Sequence, residues 1–146
     1  MKTLLSLAAL SAAVELTAAA DDSRAIQGEY TIVSGEENGK ALPADHFKGS
    51  LVRITKDEII GVDKNQKQIF VTRYVIDASK TPHVLKMHGT SPEKADANGL
   101  IKKDGDTVTL IYALPGGKMP TEFKTGDRQN MFVLKPVGKG GKPRGK

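Results

Sequence analysis

Three histidines, His46, His83 and His88, are the residues of this chain best suited to hold a metal, since imidazole is the commonest metal-ligating side chain. His83 and His88 stand five positions apart, an odd offset that sends them to opposite faces of an extended strand. His46 lies far away in the chain, so no chelating pair forms and no metal site is expected; Asp45-His46 is the adjacent couple that a metal could use. Nucleophilic catalysis fares no better. Ser34, Ser50, Ser79 and Ser91 lie outside any Gly-x-Ser-x-Gly elbow, and no strand-elbow-helix unit is present to hold one. The chain has no cysteine, which excludes thiolate metal sites, Cys nucleophiles and disulfides. The carboxylate pairs Glu36-Glu37, Asp57-Glu58 and Asp104/Asp106 fall at expected turns or strand ends, where solvation suits them better than acid-base work. Gly116-Gly117 and the glycines of 138–141 precede no helix, so no phosphate cradle is expected. These residues point away from an enzyme and call for no cofactor.

The elements that would position any site are strands. Apolar residues recur mostly at a two-residue period in short runs divided by turn residues, the pattern of antiparallel strands with one buried face. The runs are residues 28–36, 51–55, 58–62, 68–77, 83–88, 99–103, 107–113 and 131–135. Asn38-Gly39 and Asp104-Gly105-Asp106 are turn signals, the latter marking a compact hairpin. Residues 42–48 could make one helical turn with Pro43 near its start, and 89–98 reads as a polar loop. Tyr30, Ile32 and Ser34 share one face of the first run; Leu85 and Met87 point inward on the fifth; Val108, Leu110 and Tyr112 point inward on the seventh while Thr107, Thr109 and Ile111 face out. Eight short strands without long crossovers can remove their edges by closing into an all-β, eight-stranded antiparallel up-and-down barrel, with a two-sheet sandwich as the competing architecture.

The two termini read differently. Met1-Lys2, the Leu/Ala-rich run at 3–14 and Ala18-Ala19-Ala20 before Asp21-Asp22 have the form of a secretory leader cleaved after Ala20. Glu15 interrupts the run, and a membrane span needs about 20 apolar residues, so an exported chain without a membrane span is expected, periplasmic or extracellular. Residues 21–137 then form one domain. Net charge is +5, yet 21–137 holds 17 basic against 16 acidic residues. The excess sits in 138–146, where Lys139, Lys142, Arg144 and Lys146 occur among Gly and Pro with no acid. Such a segment cannot offset the ordering entropy of folding, so a disordered basic tail is expected. It could adhere to an acidic envelope surface or simply be solvated. No specific nucleic-acid site is expected.

Taken in order, the segments IQGEYTIVSGEENGKALP (26–43), HFKGSLVRIT (46–55), Asp77 to Pro82, Asp104-Gly105-Asp106 and Pro120 to Lys124 make the chain resemble the small lipocalin-like domain family abundant in planctomycete bacteria, over roughly residues 26–136. The resemblance implies a calycin-type barrel and carries over no catalytic or binding residue. Where that family and lipocalins place Trp in a Gly-x-Trp, this chain has Gly28-Glu29-Tyr30. The resemblance therefore implies Tyr30 as the plug closing one barrel end, with Arg128 or Lys135 above the ring in a cation–π contact of about 0.5–2 kcal/mol.

The expected interior comprises Ile32, Val52, Ile54, Ile59, Val71, Val75, Leu85, Met87, Val108, Leu110 and Tyr112, with aromatics at only 5% of the chain. An eight-stranded barrel is either filled by such side chains or keeps room for one small ligand. An apolar pocket also needs a few converging polar groups, for which Ser34, Thr72 and Tyr112 qualify. The ligand-binding residues expected are Ser34, Thr72, Leu85, Met87, Leu110 and Tyr112. The function expected is a secreted binding module for a small, largely apolar ligand, the alternative being an envelope-associated structural or interaction module that uses the basic tail.

Overall fold

In a computed structural model, residues 24–92 and 94–137 are described, and the leader and basic-tail assignments lie outside them. Among the described residues nine strands form in chain order: β1 (Gly28–Glu37), β2 (Lys40–Ala41), β3 (Leu51–Ile54), β4 (Glu58–Val62), β5 (Gln68–Asp77), β6 (His83–Ser91), β7 (Asp96–Asp104), β8 (Thr107–Ala113) and β9 (Gln129–Pro136). All pairings are antiparallel, each long strand beside the next, and β9 returns to β1. That last pairing closes eight strands into an up-and-down barrel and leaves no long strand with a free edge. The short β2 is an extra hairpin arm on β1. A 3-10 turn at Ala44–Phe47 is the helical turn expected at 42–48.

Local chemistry sets the register. Asn38 and Gly39 both take left-handed φ, 52° and 81°, the geometry of a tight hairpin turn that suits Asn-Gly. Asp63 Oδ1 accepts from the Asn65 and Lys67 amides and holds the β4–β5 turn. Between β6 and β7 the turn is shorter than the polar loop expected at 89–98, because strand pairing runs on to Ser91 and resumes at Asp96.

Three placements differ from the alternation read along the chain. A β-bulge between Ile32 and Ser34 leaves Val33 49% exposed and turns Ser34 out to solvent, so Gly35 takes the next inward position. On β5 the parity is the reverse of the one expected: Tyr74 is buried while Val75 is 66% exposed and Val71 is only half-buried. The strand carries apolar residues on both faces, so its composition does not mark the inner one. Ile111 does point outward from β8 but is 0% exposed, and Thr109, Ala113 and Leu100 on the same outer face are buried too. The long connection at 114–128 covers them. It is pinned by Gln129 Nε2 donating to Lys118 O and places Phe123 beneath Lys102 Nζ at 4.6 Å, on the outer side of β7. A patch of outward apolar residues thus escapes water without joining the interior.

The interior cluster includes Tyr30, Ile54, Tyr74, Leu85, Ile101, Val108 and Leu134, with Ile26 beneath them from a helical turn at 24–26. Leu85, Val108 and Leu134 are essentially inaccessible to solvent.

Candidate functional site

The two ends of the barrel are finished differently. At one end Tyr30 is buried, and its partners are not the basic residues that the resemblance implies. Its hydroxyl donates to Ile26 O at 2.6 Å, so the turn at 24–26 caps the ring. Arg128 stands before the other end of β9, since Tyr30 pairs with Pro136 whereas Glu37 pairs with Asn130. Lys135 pairs with the outward Thr31 and is exposed. Neither side chain covers Tyr30. The geometric reason is that β9 runs antiparallel to β1, which separates Arg128 from Tyr30 by nearly the length of the strand. Tyr74 is finished in the same way as Tyr30, its hydroxyl donating to Thr55 O at 2.6 Å. Burial, and then the neighbouring Tyr74, push the Tyr30 pKa up, so the plug stays neutral.

Above this packed end the side chains shorten and a cavity of about 180 Å³ opens. Ile32, Ile59, Met87, Leu110 and Leu134 form its inner part; Gly89, Ala95 and Ala97 line one wall; Phe70, Tyr112 and Phe132 stand around the mouth. The aromatic rim is made possible by glycines. A Cβ on Gly61 would lie 2.4 Å from the Phe70 ring, and one on Gly35 would lie 2.5 Å from Phe47 and 3.1 Å from Phe132. These bare backbone positions let the rings lie across the inner face of the sheet. Phe47, delivered by the 3-10 turn, meets Phe132 edge-on at 5.9 Å.

Of the six expected ligand-binding residues, four line this cavity: Thr72, Met87, Leu110 and Tyr112. Leu85 lies in the packed interior instead, and Ser34 is on the outer surface as a result of the bulge. The polar side-chain atoms on the lining belong to Thr72 and Tyr112. Thr72 Oγ1 donates to Arg73 O at 3.3 Å. Tyr112 Oη is the acceptor of a long 3.5 Å contact from Asn130 Nδ2. Burial pushes the Tyr112 pKa up, the Asn130 contact opposes this, and Glu37 adds to the rise. Asn130 was not among the expected site residues. It faces Tyr112 across the β8–β9 ladder, is 8% exposed, and its Oδ1 is buried without a hydrogen-bond partner. Only the pairing of strands 18 residues apart brings it there. Its one sequence signal is an Asn at the start of an otherwise apolar strand, which reads equally well as a turn residue.

No family model, curated protein or solved structure matches this chain. The site's chemistry therefore rests on its own geometry. His83 stands half-buried opposite Ile101, His88 pairs with Asp96 on the outer face, and His46 packs edge-on against Phe47. Among the described residues, no three His, Asp or Glu come together as a metal-holding group, and no helix is long and apolar enough to cross a membrane. Within the lumen the hydroxyls of Thr72 and Tyr112 are the polar equipment, which suits recognition of a neutral molecule.

Proposed function

We propose that this protein is an exported, lipocalin-like binding module that holds one small, largely apolar molecule inside its barrel. The observation that carries the reading is the apolar lumen of about 180 Å³ ringed by aromatics. An apolar void of about 150 Å³ takes up one benzene, so this lumen suits a compact ligand of similar size. A lipid or a large pigment does not fit it. Export follows from the leader-like residues 1–20, and the lipocalin-like kinship from the segment pattern at 26–136.

Native mass spectrometry of protein purified from its own host tests the reading directly. A stoichiometric small molecule, released on denaturation, is expected; empty protein that also fails to take up toluene overturns the proposal. Amino-terminal sequencing of the same material should begin at Asp21, and a chain still carrying Met1 would remove the export component.

A second reading, adhesion to an acidic envelope surface, is favoured by the four cations and no acid of 138–146. It is compatible with the first. Deleting 138–146 should release the protein from envelope fractions, and unchanged retention defeats it.

A further inference from the structure

The apolar interior continues sideways at the open end of the barrel. β7 pairs with β8 only from Gly99, opposite Tyr112, so Asp96, Ala97 and Asn98 run on past the end of that ladder. β8 ends at Ala113, and the chain leaves the sheet through Leu114 and Pro115. Where the two strands part lies a groove of about 230 Å³. It shares Phe70, Thr72, Gly89, Ala95, Ala97 and Tyr112 with the lumen, so the two spaces adjoin along a common wall. Gly89, Ala95 and Ala97 carry little or no side chain, and the Gly89 amide donates to Ala95 O at 2.8 Å, which fixes that wall without filling the passage. Farther out, Pro92, Leu114 and Pro115 keep the groove apolar. Ser91 and Asp96 line the groove but not the lumen; both are exposed, and Asp96 Oδ1 pairs with His88 Nδ1 at 2.5 Å.

We infer that lumen and groove form one elongated site for a linear, uncharged aliphatic molecule, whose end fills the lumen while the rest of its chain runs out past the end of the β7–β8 ladder, an inference that rests on the ligand-binding reading above. The lumen by itself takes about seven non-hydrogen atoms, on the scale of one benzene in about 150 Å³. A compact ligand of that size leaves the apolar walls of the groove in water. A chain that continues past Tyr112 covers them, and each methylene fully removed from water tightens binding by about fourfold. The far end of the chain emerges beside Ser91 and Asp96. A neutral hydroxyl stays hydrated there, whereas a carboxylate would be set against the Asp96 carboxylate.

Calorimetric titration with the 1-alkanols from 1-butanol to 1-decanol tests this, with toluene as the ligand that needs the lumen alone. Affinity should keep rising past 1-hexanol, which by size fills the lumen, and 1-decanol should bind one-to-one and at least about tenfold more tightly than 1-hexanol. Ser91→Trp, at an exposed position on the groove alone, should weaken 1-decanol by about tenfold while changing toluene by less than about twofold. Leu114→Ala, which strips the outer wall, should weaken 1-decanol by about threefold with the same indifference to toluene, and carries the test if Ser91→Trp does not fold. An affinity that levels off at 1-hexanol would overturn the elongated site and leave the ligand-binding reading intact. Undiminished 1-decanol binding in Ser91→Trp, or equal losses of 1-decanol and toluene, would likewise overturn it. Neither toluene nor any alkanol bound would remove both.

Discussion

The closed and open halves of this barrel share eight strands and one alternation, yet one is a solid core and the other a vessel. In the closed half Leu85, Val108, Ile54 and Tyr74 interlock, and both tyrosine hydroxyls end on backbone carbonyls. In the open half Gly89, Ala95 and Ala97 occupy inward positions, and the aromatic side chains stand at the rim rather than across the lumen. Side-chain volume, not backbone architecture, separates the two. A strand ladder closes a barrel of given radius, and only the inward residues decide whether that radius is filled.

Substitutions that act on one half and spare the other probe this difference, and the greatest loss should come from the solid half. Leu85→Ala should cost about 3 kcal/mol in urea unfolding, since it opens a new void among side chains that cannot collapse. Met87→Ala, which only enlarges a space already present, should cost clearly less; equal losses would mean that the halves do not differ in packing. The same chemical deletion at the two ends makes a sharper test. Tyr30→Phe strips a 2.6 Å bond and leaves Ile26 O bare, at about 1 kcal/mol, whereas Tyr112→Phe removes a poorly paired hydroxyl and should shift stability by less than about 0.5 kcal/mol. Ala97→Leu should change stability by no more than about 1 kcal/mol while abolishing toluene uptake, because it occupies the lumen. Loss of folding there would show that the open half has no spare room.

The smallest effect concerns the latch between the hairpin β1–β2 and the 114–128 connection. Glu36 Oε1 accepts from Thr125 Oγ1 at 2.7 Å and from the Thr125 amide at 3.2 Å, and Thr125 Oγ1 accepts from the Gly39 amide. The Thr125 hydroxyl, then its amide, hold the Glu36 carboxyl below its usual pKa. A depressed folded-state pKa stabilises the protein above the unfolded carboxylate pKa, and that contribution fades as pH falls through the folded value. Glu36→Gln should therefore be less stable than wild type at pH 7 and converge with it in acid, as read by urea midpoints across the acidic range. A gap that stays constant with pH would detach the latch from the Glu36 charge.

Much of this arrangement is legible in the sequence. Asn38-Gly39 marks a turn and Asp104-Gly105 a hairpin, and alternating Val108, Leu110 and Tyr112 mark an inner face that the structure retains. Met87, Leu110 and Tyr112, inward by such patterns, line the lumen, and Thr72 lines it although the phase read along 68–77 puts Val71 and Val75 inward. Where alternation was ambiguous the reading failed. Residues 68–77 carry apolar side chains on both faces, so the period was visible while its phase was not. The bulge at Val33 has no composition signal of its own, and it moved Ser34 from the inner face to the outer. Ile111 looked like an outward residue and is one, but its cover comes from a connection with no regular structure to announce it. The resemblance implies Arg128 or Lys135 over Tyr30, whereas β9 holds Arg128 toward its other end and Lys135 exposed beside Thr31.

Strand periodicity and turn chemistry are local, written within a few neighbouring residues, and they sufficed for an all-β chain that closes on itself. The absence of cysteine is equally local and excludes disulfides and thiolate chemistry. Phase, bulge position and the meeting of Tyr112 with Asn130 depend on which strands lie side by side. The volume of the lumen depends on how thirteen residues from eight strands and a turn share one interior. Those are sums over residues far apart in the chain, and packing at close range is what turns small differences in side-chain size into either a core or a cavity.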